Sequence, residues 1–325
     1  MSEKRKDEHV LFSKKLVRTT NDFDHIQLIN EGLVKLNLNE IDLSCNILGK
    51  VFPYPIYINA MTGGTEKTKR INEKLALIAK NFNLPLFLGS QSIALKDSTL
   101  VDTFTIARET NPNGFIVANV SANATLLEAQ QAVAMIEANA LSIHINLIQE
   151  LVMNEGDRNF SEWINNIETI VKGLSVPVIV KEVGFGMSAK TIKTLIETGV
   201  KYIDISGKGG TNFATIERMR NQEEHSIFEE LGISTVDSLF NAQPFQSQVT
   251  LHASGGIRTP LDVIKAFVLG ADAVGLSYYF LSLMTLEEKE MFATIEKFLL
   301  DLKKLMLIFN TKTVADLHKV DYRRG

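Results

Sequence analysis

Polar side chains suited to acid–base, electrostatic or ligand-holding work recur at the ends of short apolar runs. The run 141–146 carries His144 and Asn146, two positions apart and so on one face of a strand, with Gln149 and Glu150 just beyond. Gln149 is a neutral amide: it cannot act as a general acid or base, but it can orient a water or a ligand. Glu150 is the candidate metal ligand, because a hard cation such as Mg²⁺ keeps waters, takes one or two carboxylates and bridges to phosphate oxygens. Lys181 closes the run 176–181 and has three candidate jobs: Schiff-base nucleophile, phosphate partner, or donor to an electron-rich cofactor ring. Other runs end in Asn59-Ala60-Met61-Thr62-Gly63-Gly64, in Gly89-Ser90-Gln91 and in Asn119. Each alone reads as a satisfied polar residue at a strand end; together they read as one convergent site.

Two glycine-rich turns add an anion site. Ser206-Gly207-Lys208-Gly209-Gly210-Thr211 follows Tyr202-Ile203-Asp204-Ile205, and Ser254-Gly255-Gly256-Ile257-Arg258 follows Val249-Thr250-Leu251-His252-Ala253. Glycine lets backbone N–H groups approach a phosphate closely. The second turn runs through Thr259-Pro260 into a helix whose N-terminus favours negative charge, and Arg258 can add a cation.

The elements that must position these residues are legible from periodicity. Apolar runs at 56–60, 84–89, 115–119, 141–146, 176–181, 202–206, 249–254 and 273–276 alternate with amphipathic stretches at 72–82, 126–138, 160–172, 189–198 and 261–269. Such alternation predicts parallel strands joined by crossover helices, and eight units predict an α/β fold of the closed (β/α)₈ TIM-barrel type. In that fold the site lies at the C-terminal strand ends, where the polar residues above belong. Ser188 and Thr259-Pro260 mark helix starts. The chain is expected to form a single domain over 1–325, with a barrel over 56–310. Residues 1–55 are an N-terminal extension, amphipathic near 23–33 and extended near 36–47. The stretch 207–239, polar and too long for a plain loop, is expected to be mobile and to cover the phosphate side.

Composition bounds the function. Forty-five per cent apolar and 22% charged residues suit a globular chain with a substantial core; 34 Lys and Arg against 38 Asp and Glu leave a net charge of −4, which argues against a nucleic-acid partner. No apolar stretch has the length of a membrane span, and the charged N-terminus has no leader-like apolar core, so a cytoplasmic location is expected. The lone Cys45 excludes an intrachain disulfide and thiolate zinc sites. Arg5-Lys6-Asp7-Glu8-His9, taken alone, reads as a charged, disordered tail.

Taken together, these motifs resemble the type 2 isopentenyl diphosphate isomerases, flavin enzymes on a TIM barrel. The resemblance rests on Arg5 through His9, Met61-Thr62-Gly63-Gly64, Gly89-Ser90-Gln91, His144 through Glu150, Lys181-Glu182-Val183-Gly184, Ser206 through Phe213, Ser254 through Arg258 and Gly275-Leu276-Ser277, in that order. It implies an FMN held by Met61, Thr62, Gly63, Ser90, Asn119, Lys181, Ser206 and Thr211, with its phosphate on Gly255, Gly256 and Arg258 and with Ser277 at the last strand. It further implies a substrate diphosphate gripped by Arg5, Lys6 and His9, Gln149 in contact with substrate, Mg²⁺ on Glu150, and His144 with Asn146 lining the same pocket; this makes the N-terminal run part of the site. The catalytic set it implies is His144, Asn146, Gln149 and Lys181. Two positions depart from the pattern: relatives often carry an arginine where this chain has Ser92 and another where it has Tyr278.

The implied reaction interconverts isopentenyl and dimethylallyl diphosphate, a 1,3-allylic rearrangement with no net redox, serving isoprenoid biosynthesis. Protonating an unactivated alkene demands a strong acid and a nearby negative field, which no side chain named above supplies. In the resemblance reduced FMN does so: its N5 gives and takes a proton and its ring stabilises developing positive charge. NADPH is the implied reductant, Lys181 offsets the charge of the reduced ring, and a homo-oligomer, tetramer or octamer, is the implied assembly. Two other readings stand beside this one. An FMN-dependent 2-hydroxy acid oxidase shares the barrel type but places a base histidine where Lys208 stands and a carboxylate-binding arginine where Thr211 stands. A non-catalytic flavin- or phosphate-binding protein would leave Glu150, Gln149 and Arg5-Lys6 without a job.

Overall fold

A computed structural model describes residues 2–15 and 21–325. The chain opens with α1 (Ser2–Lys15) and a 3-10 turn over Asp22–His25 that leads into β1 (Ile26–Leu28). β2 (Cys45–Ile47) and β3 (Lys50–Phe52) form an antiparallel hairpin, turned by Leu48 and Gly49 at φ +52° and +84°, the left-handed pair that a two-residue hairpin turn requires. Ile47 and Phe52 of this hairpin pack with Tyr57, Phe87, Phe115, Ala140 and Ala273. Phe115, Ala140 and Ala273 stand at strand beginnings, so the hairpin plugs the N-terminal end of the barrel.

Eight parallel strands follow: β4 (Ile56–Ile58), β5 (Leu86–Phe87), β6 (Ile116–Ser121), β7 (Ala140–His144), β8 (Val178–Lys181), β9 (Tyr202–Asp204), β10 (Thr250–Ala253) and β11 (Ala273–Leu276). They close in sequence order, β11 pairing with β4 through Val274 opposite Ile56. This is the expected barrel. Its runs are apolar on both faces because one face packs inside the barrel and the other against the helices. Those helices are α2 (Glu66–Phe82), α3 (Ser92–Lys96), α4 (Asp102–Thr110), α5 (Leu126–Met135), α6 (Leu147–Val152), α7 (Trp163–Gly173), α8 (Ala189–Glu197), α9 (Phe213–Asn221), α10 (Thr235–Ala242), α11 (Pro260–Val268), α12 (Tyr278–Ser282) and α13 (Glu288–Ile308). The start signals work as expected: the hydroxyls of Ser188 and Thr259 accept the backbone N–H of Thr191 and Asp262, at 3.1 Å each. A last strand, β12 (Tyr322–Arg324), pairs antiparallel with β1 and ties the chain's end to the extension.

Two expectations change. The stretch 207–239 is structured: Asn212 caps α9 by accepting from Ala214 N–H, Ser234 caps α10 by accepting from Asp237 N–H, and a 3-10 turn at Ile227–Glu230 lies between them. Its polarity misled because much of it is paired, Arg218 with Glu229 and Arg220 with Glu217 among them, while Ile216, Val236 and Leu239 are buried. In the extension, the apolar residues of 23–33 serve a 3-10 turn and β1, where Phe23 and Ile26 are buried; only Cys45–Ile47 of the stretch 36–47 is strand.

Candidate functional site

The site grows from one row of the sheet. Parallel register sets Ser121 beside His144, His144 beside Lys181, Lys181 beside Asp204 and Asp204 beside His252. His144 and Lys181 end their strands and face a cavity of about 1090 Å³ at the C-terminal end of the barrel.

Buried at the hub of this row, Asp204 accepts hydrogen bonds from Tyr57 Oη (2.9 Å), Asn59 Nδ2 (3.1 Å), Ser254 Oγ (2.7 Å) and the backbone N–H of Ser206 (3.1 Å). Those bonds fix the strand ends that carry both glycine turns. Lys181 is 5% exposed and its Nζ donates to the Glu182 carbonyl at 2.8 Å. Burial pulls its pKa down, against the attraction of Asp204 and Glu182. Glu182 is pushed up to about 8 by burial, although it accepts N–H bonds from Phe185 and Gly186.

His144 is held neutral. Burial first, then the charges of Lys181 and Lys6, lower its pKa to about 3. The Asn119 amide donates through Nδ2 to the Leu88 carbonyl, which leaves its oxygen to accept from His144 Nδ1–H at 2.9 Å. That assignment leaves Nε2 as an acceptor. Asn146 Nδ2 donates to Gln149 Oε1 (3.2 Å) and Glu150 Oε1 (2.7 Å), and the second oxygen of Glu150 accepts from Asp157 N–H at 2.9 Å. The Asn146 side-chain oxygen Oδ1 is buried with no partner among the described residues, as is Thr62 Oγ1. Buried polar atoms carry a cost unless something pairs with them, and both residues line the cavity.

The two glycine turns interlock. Gly207 N–H donates to the Ser254 carbonyl at 3.0 Å, and a Cβ on Gly255 (φ +89°) would stand 2.1 Å from the Gly207 oxygen. Gly256, at φ +72°, is also closed to side chains, a Cβ there standing 2.8 Å from the Gly209 carbonyl carbon. Arg258 is already engaged: its guanidinium pairs with Asp24 at 2.5 Å and with Asp262 at 3.1 Å, which raises its pKa and lowers that of Asp24 to about 2.

The N-terminal helix completes the wall. Arg5, Lys6 and His9 on α1 all line the cavity. His9 Nε2 lies 2.7 Å from Glu217 on α9; Arg220 pairs with Glu217, Glu8 and Glu155, and Glu155 also lies 3.8 Å from Arg5. Asp7 accepts from Thr65 Oγ1 at the start of α2. Lys6 is pulled down to about 8 by burial and by Arg5, with Glu150 opposing.

Of the residues named from sequence, Arg5, Lys6, His9, Met61, Thr62, Ser90, Asn119, His144, Asn146, Gln149, Glu150, Lys181, Ser206, Thr211, Gly255, Gly256, Arg258 and Ser277 all line this cavity. Gly63, among the residues assigned to the cofactor, stands behind the lining, where a Cβ would strike the Phe104 ring at 2.2 Å. Lys208 is outside the lining too, donating to the Glu230 carbonyl at 2.6 Å. Sequence reasoning passed over Asp204, Asp24, Glu217 and Arg220. An aspartate inside the apolar run 202–205 was the available signal for the first; the others are legible only through partners far away in the chain.

Comparison with known proteins gives consistent results. The profile of the FMN-dependent dehydrogenase family matches residues 99–324. The isopentenyl-diphosphate delta-isomerase of Latilactobacillus sakei is 53% identical over 276 residues, covering 84% of this chain and 79% of that protein. The Listeria monocytogenes enzyme of the same name is 47% identical over 324 residues, covering 98% and 90%. Among solved structures, mandelate oxidase matches with a TM-score of 0.65 over 98% of this chain and 91% of that one; at 12% identity this is a likeness of fold.

Proposed function

We propose a division of labour within this cavity from one premise: the chain belongs to the isopentenyl-diphosphate delta-isomerases of the FMN-dependent dehydrogenase family, and is an enzyme of that kind. Its reaction interconverts isopentenyl and dimethylallyl diphosphate without net redox. One observation carries the reading of the site: a single cavity collects the cations of an N-terminal helix, the polar strand ends and two interlocked glycine turns. A flavin nucleotide and a short diphosphate need these groups together.

The lining fits FMN. Gly255 and Gly256 leave room for backbone N–H groups to approach a phosphate, and the unpartnered Thr62 hydroxyl sits where a cofactor would satisfy it. Met61, Thr62, Gly63, Ser90, Asn119, Ser206, Thr211 and Ser277 would hold the cofactor, and Lys181 would set its positive charge against the ring. Arg258, locked between Asp24 and Asp262, would shape the phosphate turn and leave most of the direct contact to backbone N–H groups. When bound, reduced FMN supplies an acid–base nitrogen and an electron-rich ring in a water-poor site.

The chain's own residues then bind and orient. His144, neutral and donating to Asn119, offers an acceptor at Nε2. Gln149, whose oxygen accepts from Asn146, would hold substrate or a water against the reacting carbons. Arg5, Lys6 and His9 would grip the diphosphate. Glu150 would hold Mg²⁺: no group of three His, Cys, Asp or Glu among the described residues could hold a metal, so such an ion would share its coordination with diphosphate oxygens and water. NADPH is the proposed source of reducing equivalents.

We place residues 1–55 as an extension serving a barrel over 56–310 in a single domain, and the enzyme in the cytoplasm as a homo-oligomer, tetramer or octamer. Exposed Leu33 (92%) and Ile227 (70%) are apolar surface consistent with such association. The net charge of −4 offers no footprint for nucleic acid, and no helix among the described residues is long and apolar enough to cross a membrane. The test is an anaerobic assay. Reduced FMN with Mg²⁺ should convert isopentenyl diphosphate, and oxidised FMN should not; equal turnover in both ends this account of the cofactor.

A further inference from the structure

The cavity is lined by six cations, Arg5, Lys6, Lys96, Arg158, Lys181 and Arg258, and most are already occupied. Arg258 is paired with Asp24 and Asp262. Arg158 donates to the carbonyls of Glu150, Met153, Gly156 and Asp157 and so closes the turn after α6. Lys181 belongs to the buried strand row, held by the Glu182 carbonyl. Arg5 leans on Glu155 and on the Met153 sulfur. Among the described residues, no hydrogen bond or ion pair engages Lys96.

Lys96 ends α3, a helix whose Ser92, Ile93, Leu95 and Lys96 all line the cavity. Ser92 and Lys96 are four apart and share one helical face, the pairing by which two side chains of a helix reach a common partner. Ser92 lines the cavity but carries no charge; its hydroxyl meets that of Ser90 at 3.1 Å. This is the position where the resemblance described above places an arginine. A flexible four-carbon stem one turn further along can deliver a cation to the same region, and an ammonium suits a diphosphate as a mobile point charge with three donors.

We propose that Lys96 is a substrate-binding residue that grips the diphosphate of the substrate and supplies, from the last turn of α3, the charge that Ser92 does not. The proposal rests on the isomerase reading given above. Lys6 and Lys96 would then meet the diphosphate from α1 and α3, two helices that border one cavity.

The experiment compares wild-type holoenzyme with Lys96→Gln, Lys96→Arg and the double variant Lys96→Gln with Ser92→Arg. Steady-state kinetics are measured on isopentenyl diphosphate, with inorganic pyrophosphate as a competitive inhibitor. Loss of one charge-assisted contact should raise KM about tenfold and weaken pyrophosphate inhibition by a similar factor, with kcat within about twofold. FMN content and the unfolding midpoint should not move, because Lys96 is exposed and makes no described packing bond. Lys96→Arg should retain most of the affinity, and Ser92→Arg should restore it in the Lys96→Gln background. An active wild type whose KM and pyrophosphate inhibition are unchanged in Lys96→Gln overturns the proposal alone. A wild type that neither turns over isopentenyl diphosphate nor is inhibited by pyrophosphate overturns the isomerase reading, and the proposal with it.

Discussion

His9 and Glu217 lie 208 positions apart in sequence and 2.7 Å apart in space, and the carboxylate they share with Arg220 has no solvent exposure. This pair docks α1 onto α9 and so holds Arg5 and Lys6 over the cavity. Removing the carboxylate would leave Arg220, 12% exposed at its side chain, with one partner fewer in a half-closed site. Breaking a buried pair from one side costs about 3–5 kcal/mol where the orphaned charge stays buried. Glu217→Ala should therefore destabilise the protein by about 3 kcal/mol in urea unfolding, since Arg220 keeps Glu8 and Glu155. It should also raise KM for the diphosphate more than it lowers kcat, because α1 is loosened while the strand ends are untouched. An unchanged KM would show that α1 is docked by other contacts.

If Lys6 grips the diphosphate as proposed, it should set a pH limit on substrate capture. Burial and the neighbouring Arg5 lower its pKa to about 8, so it is charged below that pH and neutral above it. Since kcat/KM reports the free enzyme, it should fall on the alkaline side from about pH 8, by up to tenfold per pH unit while Lys6 is the group that titrates. Lys6→Arg keeps its charge throughout and should flatten that limb. If wild type and Lys6→Arg give the same alkaline profile, another group controls it.

How far the molecule could be read in advance depended on whether a signal was local. Eight apolar runs and the hydroxyl caps at Ser188 and Thr259 carry their structural meaning within a few residues, and the barrel followed from them. The polar strand ends were legible for the same reason: barrel topology sends every one of them to the same mouth. The stretch 207–239 was not, because a helix whose Glu217 and Arg220 pair with α1 looks, as a string, like a solvated loop. Asp24 shows the same limit. Nothing near it announces that it will pair with Arg258, 234 positions on, and tie that arginine to the extension. Asp204 was hidden differently, as a charge inside an apolar run that only a closed barrel can surround with four donors.

His252 ties stability to pH. It is fully buried, neither ring nitrogen has a hydrogen-bond partner among the described residues, and burial lowers its pKa to about 4 against an opposing pull from Asp204. In the unfolded chain the ring takes a proton near pH 6.5, whereas in the native protein it stays neutral until about pH 4. Its contribution is thus complete above pH 6.5 and lost as pH falls toward 4. Other groups titrate in the same window, Glu182 with the opposite sign, so the useful quantity is a difference. Relative to His252→Gln, the wild type should lose about 1.4 kcal/mol of unfolding free energy per pH unit between about pH 6 and 4.5. Parallel stability curves for the two proteins would show that His252 is protonated in both states or in neither.

Gly255 is the position where backbone shape and cofactor binding are hardest to separate, and a second glycine separates them. At φ +89° an alanine is strained, and its Cβ would stand 2.1 Å from the Gly207 carbonyl oxygen, a backbone atom that cannot swing aside. Gly255→Ala should weaken FMN binding at least tenfold, read from flavin absorbance after gel filtration and from titration of the apoprotein, because the interlocked turns must part. Gly199→Ala is the matched control: its φ is +88°, but its Cβ would meet only Val171 at 3.8 Å, and it does not line the cavity. Backbone strain of about 1–3 kcal/mol should appear in both variants as lost stability. Loss of FMN should appear in Gly255→Ala alone. Equal FMN retention in the two would mean that the turn after β10 does not cradle the phosphate, and the backbone N–H groups assigned to it would need another ligand.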